Sequence, residues 1–213
     1  MSHKIIVVGI GPGDSAYLLP KAQKTIENAR ILVGGKRALA DFSHCGAREC
    51  AIGADIPGVL SFIRDALAAD DVVVIVSGDP GYYSLLDALR RSFPIGQIEV
   101  IPGISSLQLA FARLALPWHA ARLLSFHGRE PHEAELLRTE GAVLGMLTDG
   151  RNNSQTIATR LMAHGWSSHD TMYVCTRLSY ADEQITEMTI GQAADTDGIG
   201  HGVIIVCAHE EKY

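Results

Sequence analysis

The sequence has no apolar run long enough to cross a membrane and no excess of basic residues. Its apolar runs, such as residues 72–76, have the length of a strand, whereas a spanning helix needs about 20 residues. Acidic residues outnumber basic ones by 24 to 18, and the net charge of −6 argues against a general nucleic-acid binder. A local group of arginines can still bind a small anion. The first residues lead into a strand-like run and do not have the pattern of a signal peptide, so we expect a cytoplasmic protein.

Cysteine is scarce, and its spacing does not predict a metal site. The four cysteines form no C-x-x-C pair. Cys175 and Cys207 lie in apolar strand-like runs, where cysteine is usually a small core residue. His44 and Cys45 are close to Cys50 in the sequence, but a structural zinc site needs more ligands than this group supplies. We therefore expect no bound metal.

Patterns typical of buried strands alternate with helical patterns from the first residues onward. Residues 5–10 form a β-branched apolar run that ends in glycine, which indicates a buried strand. Pro20 is suited to the first turn of a helix. The predicted strands of this half are 5–10, 30–33, 48–52, 72–76 and 97–101, and the predicted helices are 20–29, 57–69, 83–93 and 105–115. This alternation predicts a mainly parallel sheet with helices on both faces.

The alternation is interrupted near Trp118, and a second α/β series follows. Its predicted strands are 123–126, 142–147, 171–176, 183–189 and 203–208, and its predicted helix is 154–164. Asn153 precedes that helix and supplies an N-cap. The short spacing between Tyr173 and Ile190 predicts an antiparallel hairpin and hence a mixed sheet. We therefore predict an α/β protein of two α/β domains, residues 1–117 and 118–213.

A glycine-rich loop, Gly9-Ile10-Gly11-Pro12-Gly13-Asp14, follows the first predicted strand. Glycine permits positive φ angles and the close approach of a ligand or another backbone segment. A dinucleotide-binding loop would need glycine at Asp14 and an acidic residue where the second strand ends in Gly34-Gly35. A P-loop would need Gly-Lys-Ser or Gly-Lys-Thr, which does not follow. The pattern leaves open a ligand-binding loop or a tight structural turn.

Two further loops at predicted strand ends carry polar groups. Asp79, in the segment 77–83, lies where parallel sheets bind ligands, so it either faces a cation or a ribose hydroxyl or caps the next helix. The segment 102–106, Pro-Gly-Ile-Ser-Ser, brings hydroxyls and backbone N–H groups to a helix N-terminus, where Ser105 is a ligand contact or an N-cap. Three such loops in one half of the chain favour a ligand site.

Together the three loops resemble those of the tetrapyrrole methylase family, the S-adenosylmethionine-dependent methyltransferases of siroheme and cobalamin synthesis. The family's G-x-G-P-G-D, G-D-P and P-G-x-S motifs are matched by residues 9–14, 78–80 and 102–105. The segments 33–37 (Val-Gly-Gly-Lys-Arg) and 125–129 (Ser-Phe-His-Gly-Arg) are most similar to the branch that methylates C-5 of precorrin-7 or cobalt-precorrin-7.

The resemblance implies two α/β domains, the second with a mixed sheet, with S-adenosylmethionine in the cleft between them, and a homodimer. The cofactor contacts that it implies are Ile10, Asp79, Tyr82, Ser105, Ser106, Leu147, Arg177, Leu178, His201 and Gly202. Some relatives carry a fused domain that methylates C-15 and decarboxylates an acetate side chain. Since the sequence ends at Tyr213, we expect that activity on a separate protein.

The chemistry of methyl transfer to a ring carbon needs alignment of the methyl group and an acceptor for the lost proton. Because imidazole takes up and releases protons readily, His127 is a candidate proton acceptor; alternatively, it binds a substrate carboxylate. Asp14 is the second candidate catalytic residue, unless it orders the glycine loop.

An anionic tetrapyrrole carries acetate and propionate groups, which arginine binds through two parallel hydrogen bonds. The residues predicted to bind this substrate are Lys36, Arg37, Arg129 and Arg151, and Arg177 also flanks a strand-end loop. Arg90 and Arg91 lie within a predicted helix and belong to a solvated face.

Other functions remain open at this point. The chain could methylate another ring carbon, or it could be a non-catalytic protein that binds a corrinoid or a nucleotide. The family also has branches that act on a protein-bound diphthamide precursor and on ribosomal RNA, and the segments 33–37 and 127–129 favour the C-5 enzyme over these.

Overall fold

The computed structural model describes residues 3–209, which form two compact units. The first unit ends at Ser105, before the boundary predicted at residue 117. The helix that follows, α5 (Ser106–Arg113), therefore belongs to the second unit. It packs on the second sheet at Gly145, where an added Cβ would lie 2.8 Å from Phe111 Cε2. This contact with the second sheet is the physical reason for the earlier boundary.

The first unit contains a five-stranded parallel sheet with the spatial order β3-β2-β4-β1-β5. Its strands are β1 (Ile5–Gly9), β2 (Ile31–Gly35), β3 (Arg48–Ile52), β4 (Val72–Val76) and β5 (Ile98–Ile101). Every residue of β4 is buried, because β4 lies inside the sheet and helices cover both of its faces. The prediction of a parallel α/β sheet in this half is confirmed.

Four helices cover this sheet. They are α1 (Pro20–Glu27), α2 (Lys36–Asp41), α3 (Ile56–Ala66) and α4 (Leu86–Ser92). Ile26 and Leu39 bring α1 and α2 into the core on one face of the sheet. Ile63 and Leu89 do the same for α3 and α4 on the other face, because side chains alternate along the strands between them.

Two helices of the first unit differ from the prediction. The helix predicted from residue 83 begins only at Leu86, because Tyr83 has a φ angle of 51°, which a right-handed helix cannot contain. Helix α2 was not predicted at all. Lys36 and Arg37 therefore lie in the first turn of a helix and not in a strand-end loop.

The second unit contains a five-stranded mixed sheet with the order β6-β7-β10-β8-β9. Its strands are β6 (Arg122–Ser125), β7 (Val143–Leu147), β8 (Thr171–Thr176), β9 (Gln184–Thr189) and β10 (Gly202–Cys207). β6 and β7 are parallel, and the other neighbours are antiparallel. The predicted hairpin is the β8–β9 pair, in which Tyr173 lies opposite Glu187. The prediction of a mixed sheet is confirmed.

Helices α6 (Ser154–Ala163) and α7 (Ile190–Ala194) cover one face of this sheet. Helix α5 packs against the sheet at Gly145. The Asn153 side chain accepts the N–H of Thr156 at 3.1 Å, so the predicted N-cap of α6 is confirmed. Within residues 3–209, no helix has both the length and the apolar character that crossing a membrane requires.

Candidate functional site

The three glycine-containing loops of the first unit lie side by side. They follow β1, β4 and β5, which are neighbours in the order β4-β1-β5. Because these strands are parallel, their carboxyl ends lie at the same edge of the sheet. From β1 the chain crosses past β4 to β2, and from β4 it crosses past β1 to β5. Because these two connections run in opposite directions across the sheet, this edge is a topological switch point. Open α/β sheets bind their ligands at such points.

The backbones of the three loops approach one another so closely that only glycine fits. A Cβ on Gly9 would lie 2.5 Å from the carbonyl oxygen of Gly78 and 2.7 Å from the nitrogen of Gly103. A Cβ on Gly103 would lie 2.2 Å from the same Gly78 oxygen. Gly11 and Gly78 also exchange two backbone hydrogen bonds, of 3.3 and 2.8 Å. The glycines therefore hold the loops together as one structure.

The carboxylate of Asp79 links the second loop to the third. Its Oδ1 accepts the N–H of Gly81 at 2.8 Å, and its Oδ2 accepts the N–H of Gly103 at 3.1 Å. Asp79 is half-buried and does not cap α4, which begins seven residues later at Leu86. Each oxygen keeps a second lone pair, so the carboxylate can still accept a hydrogen bond from a ligand hydroxyl or ammonium group.

The other predicted site residues of this edge differ in the contacts that they make within the protein. Asp14 is exposed, and its side chain accepts the N–H of Ala16 at 2.8 Å, so it orders the end of the glycine loop. The side chain of Ile10 packs against the core, and its backbone N–H donates to the Val76 carbonyl at 3.0 Å. The ring of Tyr82 lies 4.6 Å from that of Tyr83 in an edge-on contact. Ser105 packs beneath Gly78, with its Cα 3.4 Å from where a Cβ would be.

Lys36 and Arg37 lie at the same edge of the first sheet. They open α2 directly after the carboxyl end of β2, which is next to β4 in the sheet. Both side chains are exposed. The first unit therefore brings two cationic side chains to the edge that carries the glycine loops.

The second unit has an edge that collects its predicted site residues. β6, β7 and β8 end at this edge and β10 begins there, since β10 runs antiparallel to β7 and β8. The predicted residues that lie at or directly after these strand ends are His127, Arg129, Leu147, Arg151, Arg177, Leu178, His201 and Gly202.

His127 is exposed, and its ring has a defined partner. Nδ1 lies 3.3 Å from the carbonyl oxygen of Thr148. A carbonyl only accepts hydrogen bonds, so this contact is a hydrogen bond when the neutral ring carries its hydrogen on Nδ1, which leaves the lone pair on Nε2. The backbone N–H of His127 donates to Ser125 Oγ at 3.2 Å. The Nδ1 contact thus places the His127 ring against the segment after β7.

Two residues of this edge, Thr148 and Asp149, were missed by the sequence analysis. The buried Thr148 hydroxyl accepts the N–H of Gly202 at 2.9 Å. Asp149 Oδ1 accepts the N–H groups of Asn152 at 2.7 Å and Arg151 at 2.9 Å, and Oδ2 accepts that of Gly128 at 3.1 Å. An aspartate followed by glycine directly after a buried strand is a signal that could have identified this turn.

The electrostatics of Asp149 follow from these bonds. The backbone N–H groups of Asn152 and Gly128, and then that of Arg151, lower the pKa of Asp149 to about 2. All three donors stabilise the ionised form of the carboxylate. Asp149 is therefore a permanent anion at neutral pH.

Arg177 is engaged within its own loop. Its Nε lies 2.9 Å from Asp182 Oδ2, and its guanidinium lies 4.5 Å from the centre of the Tyr180 ring. Asp182 raises the pKa of Arg177, and Arg177 lowers the pKa of Asp182. The side chain of Leu178 is buried in the second unit. A ligand at this loop would therefore meet mainly its backbone.

His201 lies against the turn that follows β7. A Cβ on Gly150 would be 2.9 Å from His201 Nε2, so the imidazole occupies the space that the glycine leaves open. His201 itself has a left-handed φ angle of 57°. Within residues 3–209, no three His, Cys, Asp or Glu side chains are grouped as a metal site requires.

Known proteins resemble this chain over almost its whole length. The family model for Tetrapyrrole (Corrin/Porphyrin) Methylases matches residues 4–194. The cobalt-precorrin-7 C(5)-methyltransferase of Salmonella typhimurium is 34% identical over 202 residues, which is 95% of this chain and 98% of that protein. The probable cobalt-precorrin-7 C(5)-methyltransferase of Methanocaldococcus jannaschii is 31% identical over 215 residues, 97% of each chain.

Solved structures share the fold. The precorrin-6Y methylase of Archaeoglobus fulgidus matches with a TM-score of 0.74 at 23% identity, covering 98% of this chain and 99% of that one. The uroporphyrin-III C-methyltransferase of Thermus thermophilus, complexed with S-adenyl homocysteine, matches with a TM-score of 0.75 at 22% identity. The match covers 95% of this chain and 91% of that one. With its glycine loops and the match over residues 4–194, the chain belongs to the tetrapyrrole methylase family.

Proposed function

We propose that this protein is an S-adenosylmethionine-dependent methyltransferase that methylates C-5 of cobalt-precorrin-7 or precorrin-7 in cobalamin synthesis. The names of two relatives, which are 34% and 31% identical over nearly all of both chains, support this substrate. The structural observation that carries the proposal is the backbone-to-backbone contact of the loops at Gly9, Gly78 and Gly103. This contact forms a rigid polar edge at the switch point of a parallel sheet.

The polar groups of this edge suit the methyl donor, which carries ribose hydroxyls, an ammonium group and a carboxylate. Asp79 has lone pairs for hydroxyl or ammonium donors, and Tyr82 and Ser105 supply further hydroxyls. The contact predicted for Ser106, the first residue of α5, stays a prediction. The backbone of Ile10 borders the same loops. When bound, the sulfonium supplies an electrophilic methyl group, so the reactivity belongs to the cofactor. The cofactor contacts predicted in the second unit stay predictions. They are Leu147, Arg177, Leu178, His201 and Gly202.

The proton that leaves the ring carbon needs an acceptor, and His127 is suited to this role. Its Nδ1 donates to the Thr148 carbonyl, so Nε2 of the neutral ring has the lone pair that takes up a proton. Once Nε2 is protonated, both ring nitrogens are donors and the Thr148 bond is kept. Asp14 is occupied at the glycine loop by the N–H of Ala16, so we assign it the ordering of that loop.

The carboxylates of the tetrapyrrole need cationic partners. Lys36, Arg37, Arg129 and Arg151 are exposed at strand-end positions and are proposed to bind them. The Arg177 guanidinium is already paired with Asp182, so it is assigned no carboxylate. Cationic side chains at strand ends allow a chain of net charge −6 to bind a polyanion. The homodimer and the separate C-15 enzyme stay predictions.

The test has two stages. Isothermal titration calorimetry with S-adenosylhomocysteine should detect binding to the wild-type protein, and an absence of binding would contradict the methyltransferase proposal. The protein is then incubated with S-adenosylmethionine labelled with ¹³C in its methyl group and with precorrin-7, with and without cobalt. The ¹³C NMR spectrum should locate the label on C-5. Label at another carbon would assign a different ring position, and binding without turnover would assign a non-catalytic role.

A further inference from the structure

The chain segments that carry His127 and Thr148 are joined by bonds that follow one another in step. The N–H of Phe126 donates to the carbonyl of Leu147 at 2.8 Å, which continues the β6–β7 pairing beyond β6. The next bond joins His127 Nδ1 to the Thr148 carbonyl at 3.3 Å. The third joins the N–H of Gly128 to Asp149 Oδ2 at 3.1 Å. The imidazole therefore lies between a main-chain bond at Phe126 and the bond from the Gly128 N–H to the Asp149 side chain.

The third bond occurs where the backbone turns away from the sheet. Gly128 has a left-handed φ angle of 66°, so the regular strand pairing cannot continue past it. The Asp149 side chain supplies the acceptor that a paired strand would otherwise supply. Without this bond, the N–H of Gly128 would lose its hydrogen bond to the turn after β7.

Asp149 is itself held firmly. Its Oδ1 accepts the N–H groups of Arg151 and Asn152, which closes a tight turn around the carboxylate. On its other side, the carbonyl oxygen of Asp149 would lie 2.5 Å from a Cβ on Gly200, so the loop before β10 packs directly against it. Asp149 is thus the contact point of three loops at this edge.

We propose that Asp149 is a positioning residue for methyl transfer: it holds Gly128, and thereby keeps the neighbouring His127 ring on the Thr148 carbonyl as the Nδ1–H tautomer. Its catalytic consequence rests on the function proposed above for His127, whereas its effect on the tautomer does not. Because Asp149 remains ionised at neutral pH, its carboxylate is able to accept the N–H of Gly128 there. The acceptor site at Nε2 is then set before substrate binds.

Asp149→Asn separates the two functions of the carboxylate. An asparagine can keep its oxygen toward the N–H groups of Arg151 and Asn152, which preserves the turn. Its amide nitrogen then faces the N–H of Gly128, and two donors cannot form a hydrogen bond. The variant therefore removes the link to Gly128 while it leaves the turn after β7 in place.

The experiment uses the full chain with ¹⁵N-labelled histidine rings. Two-bond ¹H–¹⁵N NMR spectra at about pH 9, where imidazole is neutral, distinguish Nδ1–H from Nε2–H rings. The His127→Gln spectrum identifies the His127 signals. We expect the Nδ1–H form in the wild type and in Asp195→Asn, a charge control at the exposed end of α7. In Asp149→Asn we expect the averaged signals of a solvent-exposed histidine.

Steady-state kinetics provide the second readout. In Asp149→Asn, kcat should fall about tenfold or more, while the KM for S-adenosylmethionine stays unchanged. Asp195→Asn removes an exposed carboxylate at the end of α7 and should match the wild type. An Nε2–H ring in the wild type, or an unchanged tautomer in folded Asp149→Asn, would overturn the proposal. A wild type without methyltransferase activity would refute the proposed function, and the NMR result would still decide the positioning of His127.

Discussion

The Asp79 carboxylate accepts the backbone N–H of Gly103 at 3.1 Å, and this bond ties the loop after β4 to the loop after β5. The two loops are far apart in the sequence but lie on either side of β1. A single side chain thus sets the spacing of two of the three loops at the proposed cofactor site.

Asp79→Asn should weaken the binding of S-adenosylhomocysteine about tenfold. The substitution removes the negative charge, and it places an amide nitrogen against either Gly81 or Gly103, so one of the two loop bonds is lost. A hydrogen bond to a charged group is worth about 1.5–3 kcal/mol, and 1.4 kcal/mol is a factor of ten in affinity. Calorimetry measures the change. Asp41→Asn, at the exposed end of α2, is the control for charge, and an equal loss of affinity in both variants would refute the role of Asp79.

Gly9→Ala should destabilise the first unit by about 1–3 kcal/mol, since its Cβ would overlap the Gly78 oxygen and the Gly103 nitrogen. Urea unfolding measures the free energy of unfolding. Gly53→Ala is the matched control, because nothing lies within 4 Å of the Cβ that it adds. Its effect should stay within about 0.5 kcal/mol. If Gly9→Ala were as stable as Gly53→Ala, the loops would not be in the contact described.

Arg129→Gln and Arg151→Gln should each raise the KM for the tetrapyrrole about tenfold, because each removes a charged partner of a substrate carboxylate. The affinity for S-adenosylhomocysteine should not change. Arg90→Gln, on the exposed side of α4, is the control and should leave both quantities as in the wild type. Initial rates at varied tetrapyrrole concentration provide the measurement. Loss of S-adenosylhomocysteine affinity in the arginine variants would place them at the cofactor instead.

The buried ion pair of the second unit, Arg138–Asp170, should make the free energy of unfolding depend on pH. Asp170 is fully buried and accepts Arg138 Nε at 2.9 Å, His209 N–H at 2.7 Å and Ser167 N–H at 2.8 Å. Burial alone would raise the pKa of Asp170, but Arg138 and the two backbone donors lower it below its usual value. A folded-state pKa below that of the unfolded chain stabilises the fold above about pH 4. This stabilisation is lost as the pH falls through the folded-state pKa.

Urea unfolding between about pH 7 and pH 3 tests this linkage. The free energy of unfolding of the wild type should fall with decreasing pH more steeply than that of Asp170→Asn. Arg138→Met leaves a buried carboxylate without its cation and should cost about 3–5 kcal/mol at neutral pH. Arg30→Met removes a partner from the exposed Arg30–Asp70 pair and should change stability far less. Equal pH slopes in the wild type and Asp170→Asn would contradict this account.

Much of the fold could be predicted from local patterns. The apolar run of β4 and the Asn153 cap are local signals, and both are found as expected. The start of α4 could not be predicted, because it depends on the left-handed φ angle of Tyr83. The assignment of α5 to the second unit depends on its packing against Gly145, a contact between residues distant in the sequence.

The candidate site was predictable where glycine motifs mark it and not where long-range hydrogen bonds form it. The loops at Gly9, Gly78 and Gly103 were found by their composition. Their mutual contact, and the bond from Gly103 to Asp79, exist only in the folded chain. Asp149 was missed because its partner Gly128 belongs to a different loop.

The strand order of the first sheet has a consequence for synthesis on the ribosome. β1 leaves the ribosome before the other strands of this sheet, but its hydrogen-bonding neighbours are β4 and β5, with Ile5 opposite Val72 and Ile98. β1 therefore remains unpaired until most of the first unit has been translated. Pairing over such sequence separations slows folding, and an exposed apolar strand is prone to aggregate until it pairs. The proposed cofactor edge, which needs all three loops, is the last part of this unit that can form.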